Sequence, residues 1–261
     1  MFEADLPIRN EASMMRSNRV VVITGAAGGV GVPLVQRFAE NGDIVVATDV
    51  SDGALGKLRG STDSSADRLI TVAADISIEE DSTRLADVVR ERAGHVDVLI
   101  NCAGWFPITN FEDITPEEWQ KVIDINLTGT FLITRALLPL IKDREHGRII
   151  NFGSGSVFDG TKFQAHYVAA KAGIVGFSRS LAREVGGYGI TVNVIAPGLT
   201  VTEPVRKNFP PEILEEQRNS RALQRDEVPE DLVGPIFFLA SPEAGFISGQ
   251  TINIDGGKFM T

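Results

Sequence analysis

Hydrophobic residues along this chain fall into short runs separated by stretches with the spacing of amphipathic helices. Val20-Val21-Val22-Ile23 precedes a helical stretch from Val32 to Ala39, and Ile44-Val45-Val46-Ala47 follows it. Leu69 to Ala73, a charged helix over Glu79 to Arg92, and Val96 to Ile100 continue the alternation. The second half repeats it with Arg148 to Phe152, a long helix over Tyr167 to Val185, Thr191 to Ile195, and a last strand over Thr251 to Ile254. Continuous β-branched runs mark strands buried on both faces, and strands alternating with helices mark right-handed βαβ units. The pattern predicts an α/β doubly wound fold of about seven parallel strands flanked by helices on both faces.

No Pro/Gly linker interrupts the rhythm, so residues 19–261 read as a single domain. Residues 1–18 are polar, carry Glu3, Asp5 and Glu11, and lack the apolar core of a signal peptide; they read as a flexible leader. Residues 199–224, with Pro204, Pro210 and Pro211 among apolar and charged residues, read as an inserted helical flap with little core of its own.

Composition narrows the function. The 261 residues are 43% hydrophobic and 23% charged, as in an ordinary soluble globular protein. No apolar run approaches the ~20 residues of a membrane-spanning helix. Net charge is −10, from 25 basic against 35 acidic residues, which excludes the electrostatic footprint of a nucleic-acid binder. The single cysteine, Cys102, rules out an intramolecular disulfide and fits a reducing cytoplasm. His95, His146 and His166 share no ligand spacing, so no metal site is expected. Difficult chemistry would then belong to an organic cofactor.

Directly after the first strand comes Thr24-Gly25-Ala26-Ala27-Gly28-Gly29-Val30-Gly31. Glycines there let backbone amides approach a pyrophosphate, and the following helix points its positive end at the phosphates, as in Rossmann-like folds. Pro33 falls in the first turn of that helix, where its missing N–H costs nothing. Asp49 ends the second strand 18 residues beyond Gly31, the place of a carboxylate that receives the adenosine ribose hydroxyls. A 2′-phosphate would meet its negative charge with no adjacent Lys or Arg, so NAD is expected over NADP.

Only two tyrosines occur, and Tyr167 precedes Lys171 by four residues, which puts both on one helix face. An ammonium ~4 Å from a phenol contributes about 4 kcal/mol at an effective dielectric of 20. That is ~3 pK units, enough to bring a phenol of pKa ~10 into the range of a general acid/base.

With these motifs the chain resembles the short-chain dehydrogenase/reductase family, in its short NAD-preferring branch, from Arg19 to Gly257. The glycine turn matches the family's, with Gly25, Gly29, Val30 and Gly31 at the cofactor. Asp75 and Ile76 stand where the family contacts adenine. Asn101, Ala103 and Gly104 resemble its Asn-Asn-Ala-Gly motif, with Cys102 replacing the second Asn at the expected loss of one supporting hydrogen bond. Pro197, Gly198 and Thr202 match a motif bordering the nicotinamide. The resemblance implies that Ser154 polarises the substrate carbonyl and that Tyr167 exchanges the proton. It further implies that Lys171 lowers the Tyr167 pKa and holds the nicotinamide ribose, and that Asn126 positions a water linking Lys171 to solvent. It also implies a homotetramer formed through helix pairs such as Pro116 to Leu138 and Tyr167 to Val185.

Residues expected around the substrate are apolar: Trp105, Phe106, Phe158, Phe163, Leu199 and Phe209, beside Ser154. Such walls suit an uncharged ring or alkyl group. His166 reads either as a substrate contact or as a surface or interface residue. The activity expected is NAD-dependent interconversion of a secondary alcohol and a ketone on a hydrophobic small molecule. A 3-oxoacyl-thioester reductase is the alternative, which Asp49 opposes because that enzyme usually prefers NADPH. A non-catalytic nucleotide sensor is disfavoured by the intact Asn126, Ser154, Tyr167 and Lys171.

Overall fold

The computed structural model describes residues 19–62, 68–144 and 146–260; the leader expected over 1–18 lies outside them. Strands β1 (Val20–Thr24), β2 (Ile44–Asp49), β3 (Leu69–Ala73), β4 (Val98–Asn101), β5 (Arg148–Phe152), β6 (Thr191–Pro197) and β7 (Thr251–Ile254) form one sheet. Its order is β3-β2-β1-β4-β5-β6-β7, and every pairing is parallel. The helices before the long central one are α1 (Gly31–Glu40), α2 (Asp52–Ser61), α3 (Glu79–Arg92), α4 (Pro116–Ile123), α5 (Gly129–Lys142) and α6 (Ser156–Asp159). Then come α7 (Ala165–Val185), α8 (Glu203–Asn208), α9 (Pro211–Asn219) and α10 (Pro229–Leu239).

The continuous apolar strands behave as their composition requires. In β1, Val21 and Ile23 enter a core shared with α1 and α10, while Val20 and Val22 enter a second core shared with α3, α5 and α7. Alternate residues thus point to opposite faces, and both faces are covered. The chain reverses its winding between β3 and β4, so the crevice of a doubly wound sheet opens beyond the C-terminal ends of β1 and β4. All the sequence motifs lie along that carboxyl edge.

A continuous helical run, Pro116–Lys142, has the length and hydropathy of a membrane span. Its burial explains that composition: Ile133, Leu137, Leu140 and Ile141 pack into the second core. Thr115 starts it by accepting the Glu118 N–H at 3.2 Å, with Pro116 in the first turn. Between α4 and α5 the residues Asp124–Thr128 form a π-helical bulge.

The stretch from 199 to 224 does contain two helices, α8 and α9. It departs from expectation in one respect, because Val201, Val205 and Leu214 are buried together with Leu199 and Phe209 against them. A small core is enough to hold two short helices as a unit.

Candidate active site

The turn after β1 is shaped by close backbone approach. Gly25 has φ +63°, and a Cβ there would lie 2.7 Å from the Ala103 Cα. A Cβ on Gly31 would overlap the Gly25 carbonyl oxygen, and one on Gly29 would lie 2.6 Å from Thr202 Cγ2. The Thr24 hydroxyl oxygen accepts the N–H groups of Cys102 and Ala103, both at 3.1 Å, and so fastens this turn to the one after β4. The result is a side-chain-free cradle at the start of α1, walled by Ala103 and Thr202. Its shape and exposed amides fit a pyrophosphate.

Asp49 sits beside that cradle. Its carboxylate accepts the Ala27 N–H at 3.2 Å and the Ser51 N–H at 3.1 Å. Among the described residues no lysine or arginine pairs with it. Asp75 is fixed by bonds from Ser77 N–H (2.9 Å) and Ser77 Oγ (2.6 Å), at the rim of a 510 Å³ cavity that also touches Lys121 and Asp124. The Ile76 side chain instead packs under Gly129 at the start of α5, leaving only its backbone for a ligand. Asn101 likewise points inward: its amide donates to Asn151 Oδ1 (2.8 Å) and Thr134 Oγ1 (3.0 Å), joining the strand ends to α5.

The four residues assigned to catalysis come together. Ser154, after β5, has an oxygen that accepts the Ser156 hydroxyl at 2.8 Å and the Ser156 N–H at 3.2 Å. It also lies near the Tyr167 hydroxyl, whose pKa it holds down. Lys171 is 3% exposed, donates to the Phe152 carbonyl at 2.8 Å, and places Nζ 5.6 Å from the Tyr167 ring centre. Burial lowers Lys171 to about 8 and raises Tyr167 to about 12. This corrects the expected direction for the phenol. Desolvation of the phenol sets the direction, opposed by Ser154.

Asn126 lies in the π-bulge and is fully buried. Its amide donates to Trp105 O (2.8 Å) and Val122 O (3.0 Å), and its oxygen accepts the Trp105 N–H (3.2 Å). The side chain is thereby spent on holding the loop after β4. A Cβ on Gly104 would lie 2.9 Å from that oxygen and 3.5 Å from Lys171 Nζ, so only glycine fits between them.

The apolar residues divide into two groups. Phe106 faces the Tyr167 ring at 6.0 Å between centres, whereas the Trp105 ring turns to Lys121 on α4, 4.7 Å from Nζ. Phe158 stacks at 5.9 Å on Phe259, which the sequence reading had not placed near the site. Phe163 is half-exposed, with φ +66°, and its carbonyl accepts the Thr109 N–H at 2.9 Å, joining two loops of the cleft. Leu199 and Phe209 belong to the small core of the flap.

Pro197 closes β6, and Gly198 donates to Glu227 Oε2 at 3.0 Å while Thr200 donates to Oε1 at 2.6 Å. Glu227 is 4% exposed, lies 3.7 Å from Arg221, and is pushed by burial up to about 7. His166 also differs from expectation. It is wholly buried, with Nε2 3.0 Å from Glu118 Oε1. Neither carboxylate carries a local sequence signal, since each is recognised only by its distant partner.

Comparison with known proteins places this geometry. A family model described as enoyl-(acyl carrier protein) reductase matches residues 25–258. A 2,3-dihydroxy-2,3-dihydro-p-cumate dehydrogenase of Pseudomonas putida is 38% identical over 93% of this chain and 95% of its own length. The 3-oxoacyl-[acyl-carrier-protein] reductase FabG of Vibrio cholerae is 33% identical over 95% and 100%. Among solved structures, a short-chain dehydrogenase/reductase of Brucella melitensis (glucose/ribitol dehydrogenase) superposes with a TM-score of 0.90 at 31% identity, over 95% of this chain and 99% of that one.

Proposed function

The chain belongs to the short-chain dehydrogenase/reductase family, an oxidoreductase fold acting on CH–OH groups, and from that premise we propose an NAD-dependent dehydrogenase of hydrophobic, cyclic secondary alcohols. The observation that carries this reading is the convergence of the Ser154 and Tyr167 hydroxyls, backed by Lys171, beside the glycine cradle and under Phe106. Its support on the substrate side is the aromatic wall and the dihydrodiol named for the Pseudomonas putida relative.

Gly25, Gly29, Val30 and Gly31 would hold the cofactor pyrophosphate, Asp49 the adenosine ribose and Asp75 the adenine. Ala103, Gly104, Pro197, Gly198 and Thr202 would line the nicotinamide half. When bound, the oxidised nicotinamide supplies the hydride acceptor and a positive charge. Ser154 donates a hydrogen bond to the substrate oxygen and stabilises its developing charge. Tyr167 takes the alcohol proton in oxidation and returns it in reduction. Lys171, held by the Phe152 carbonyl, stands beside the Tyr167 ring, and Asn126 holds the loop that carries Trp105 and Phe106. For NAD over NADP the support is Asp49, whose partners among the described residues are backbone N–H groups.

We further propose that residues 19–261 act as one domain in a cytoplasmic homotetramer. Partly exposed Trp119 on α4 and Phe131 on α5, the latter edge-on to Phe177 of α7, support assembly through these helices. A second reading, reduction of a 3-oxoacyl thioester, is favoured by relatives such as the Vibrio cholerae enzyme. A panel of cyclic dihydrodiols, other cyclic alcohols and 3-oxoacyl thioesters, followed by NADH or NADPH absorbance, separates the two. Turnover of cyclic alcohols with NAD is expected. Faster consumption of NADPH with 3-oxoacyl thioesters would overturn the proposal.

A further inference from the structure

We infer that Glu118 and His166 form a positioning pair that sets the place of the Tyr167 hydroxyl; this rests on Tyr167 being the general acid/base. Helix α7 begins at Ala165, and Gln164 before it offers no side-chain cap. The first N–H groups of any helix lack intrahelical partners, so each needs an acceptor from elsewhere. Tyr167 finds its acceptor next door, because its own N–H donates to His166 Nδ1 at 3.0 Å. Nδ1 accepts only when the ring proton sits on Nε2. Glu118 Oε1, 3.0 Å from Nε2, selects that tautomer.

The pair is well held. His166 is 0% exposed, and the Glu118 side chain is 28% exposed. Glu118 stands in the first turn of α4, its N–H bonded to Thr115 at 3.2 Å. The Thr109 side chain lies near the Glu118 carboxylate and, ahead of His166, holds it below the usual carboxylate range. Thr109 N–H in turn donates to Phe163 O at 2.9 Å. One carboxylate therefore ties together α7, the loop bearing Phe106 and the loop bearing Phe163. The amide fixed by this bond between His166 and Tyr167 is the one whose Cα carries the reacting phenol. A displacement of ~1 Å at a reacting group is enough to cost about 10²-fold in rate.

The test compares His166→Phe, Glu118→Leu and Glu118→Gln, each also in a Tyr188→Phe background. Tyr188 is half-exposed and remote from the site, and without it Tyr167 is the sole tyrosine, so the ultraviolet tyrosinate band titrates one group. His166→Phe and Glu118→Leu should lower kcat by about 10–100-fold with the NAD dissociation constant unchanged. The titration midpoint of Tyr167 should move upward as its hydroxyl shifts away from Ser154, which holds it down. Glu118→Gln keeps an acceptor for Nε2–H and should recover most of both. Should His166→Phe fail to fold, the two substitutions at the partly exposed Glu118 carry the test. Wild-type kcat and midpoint in Glu118→Leu, or a Gln variant as impaired as the Leu one, would overturn the inference. Tyr167→Phe isolates its premise. If that variant retains turnover the acid/base reading itself is wrong, whereas an inactive Tyr167→Phe beside an unaffected Glu118→Leu removes only the positioning role.

Discussion

Replacing Lys171 by methionine should stabilise the cofactor-free protein at neutral pH while destroying its activity. Burial lowers this lysine from 10.5 to about 8. The unfolded chain therefore binds the proton more tightly than the folded one. The cost to stability is full below pH ~8 and fades as pH rises to ~10.5. At ~1.4 kcal/mol per unit the shift amounts to about 3 kcal/mol at pH 7. Methionine keeps the volume and removes the charge, but it abandons the bond to the Phe152 carbonyl. That loss costs ~1–2 kcal/mol, leaving a net gain of about 1–2 kcal/mol. In a chain of this size such a gain raises Tm by roughly 3–6 °C. Urea unfolding of both proteins at pH 7 and pH 10.5, followed by circular dichroism, measures the difference, because other titrating groups cancel between them. At pH 10.5 the order should reverse, the lysine protein being the more stable by the value of its hydrogen bond. A less stable Lys171→Met at pH 7, or a difference independent of pH, would refute the reasoning.

Tyr167→Phe should lower kcat by about 10²-fold or more with NADH binding nearly intact, measured by initial rates and fluorescence titration. The kcat/KM for NAD should exceed that for NADP, and Asp49→Ser with Val50→Arg should narrow the ratio, since Val50 is 70% exposed and free to carry a guanidinium. Gly31→Ala should weaken or abolish folding, read by thermal melting, because its Cβ collides with backbone and not with a movable side chain. Hydrogen exchange over 199–224 should slow when NAD and a substrate analogue bind, as the flap closes as a unit on its small core; equal protection in both states would exclude a gating flap.

Strands, helices and the glycine turn were legible because each is written in contiguous residues: β-branched runs, a glycine cluster, a Tyr and a Lys four apart. Asp49 was legible for the same reason, being fixed by its distance from that cluster. What escaped the reading depends on residues far apart in the chain. Glu118 meets His166 across 48 positions, Glu227 meets Gly198 across 29, and Phe259 reaches Phe158 through the chain's last described residues. Nor does a sequence report desolvation. The spacing of Tyr167 and Lys171 correctly implied neighbours, yet burial moves the phenol up and the amine down, opposite to a pairwise estimate made at fixed dielectric.

Cys102 lies where the turns after β1 and β4 meet, partly buried, its N–H donating to Thr24, and burial pushes its thiol up to about 12. At neutral pH the thiol form then prevails over the nucleophilic thiolate, the form that attacks aromatic disulfides and iodoacetamide. Labelling of the native chain is therefore slow and should quicken whenever the crevice between the two turns parts. The sole sulfhydryl thus serves as a built-in clock for breathing at the heart of the nucleotide cleft, and its slowing would report occupancy without any added dye or tag.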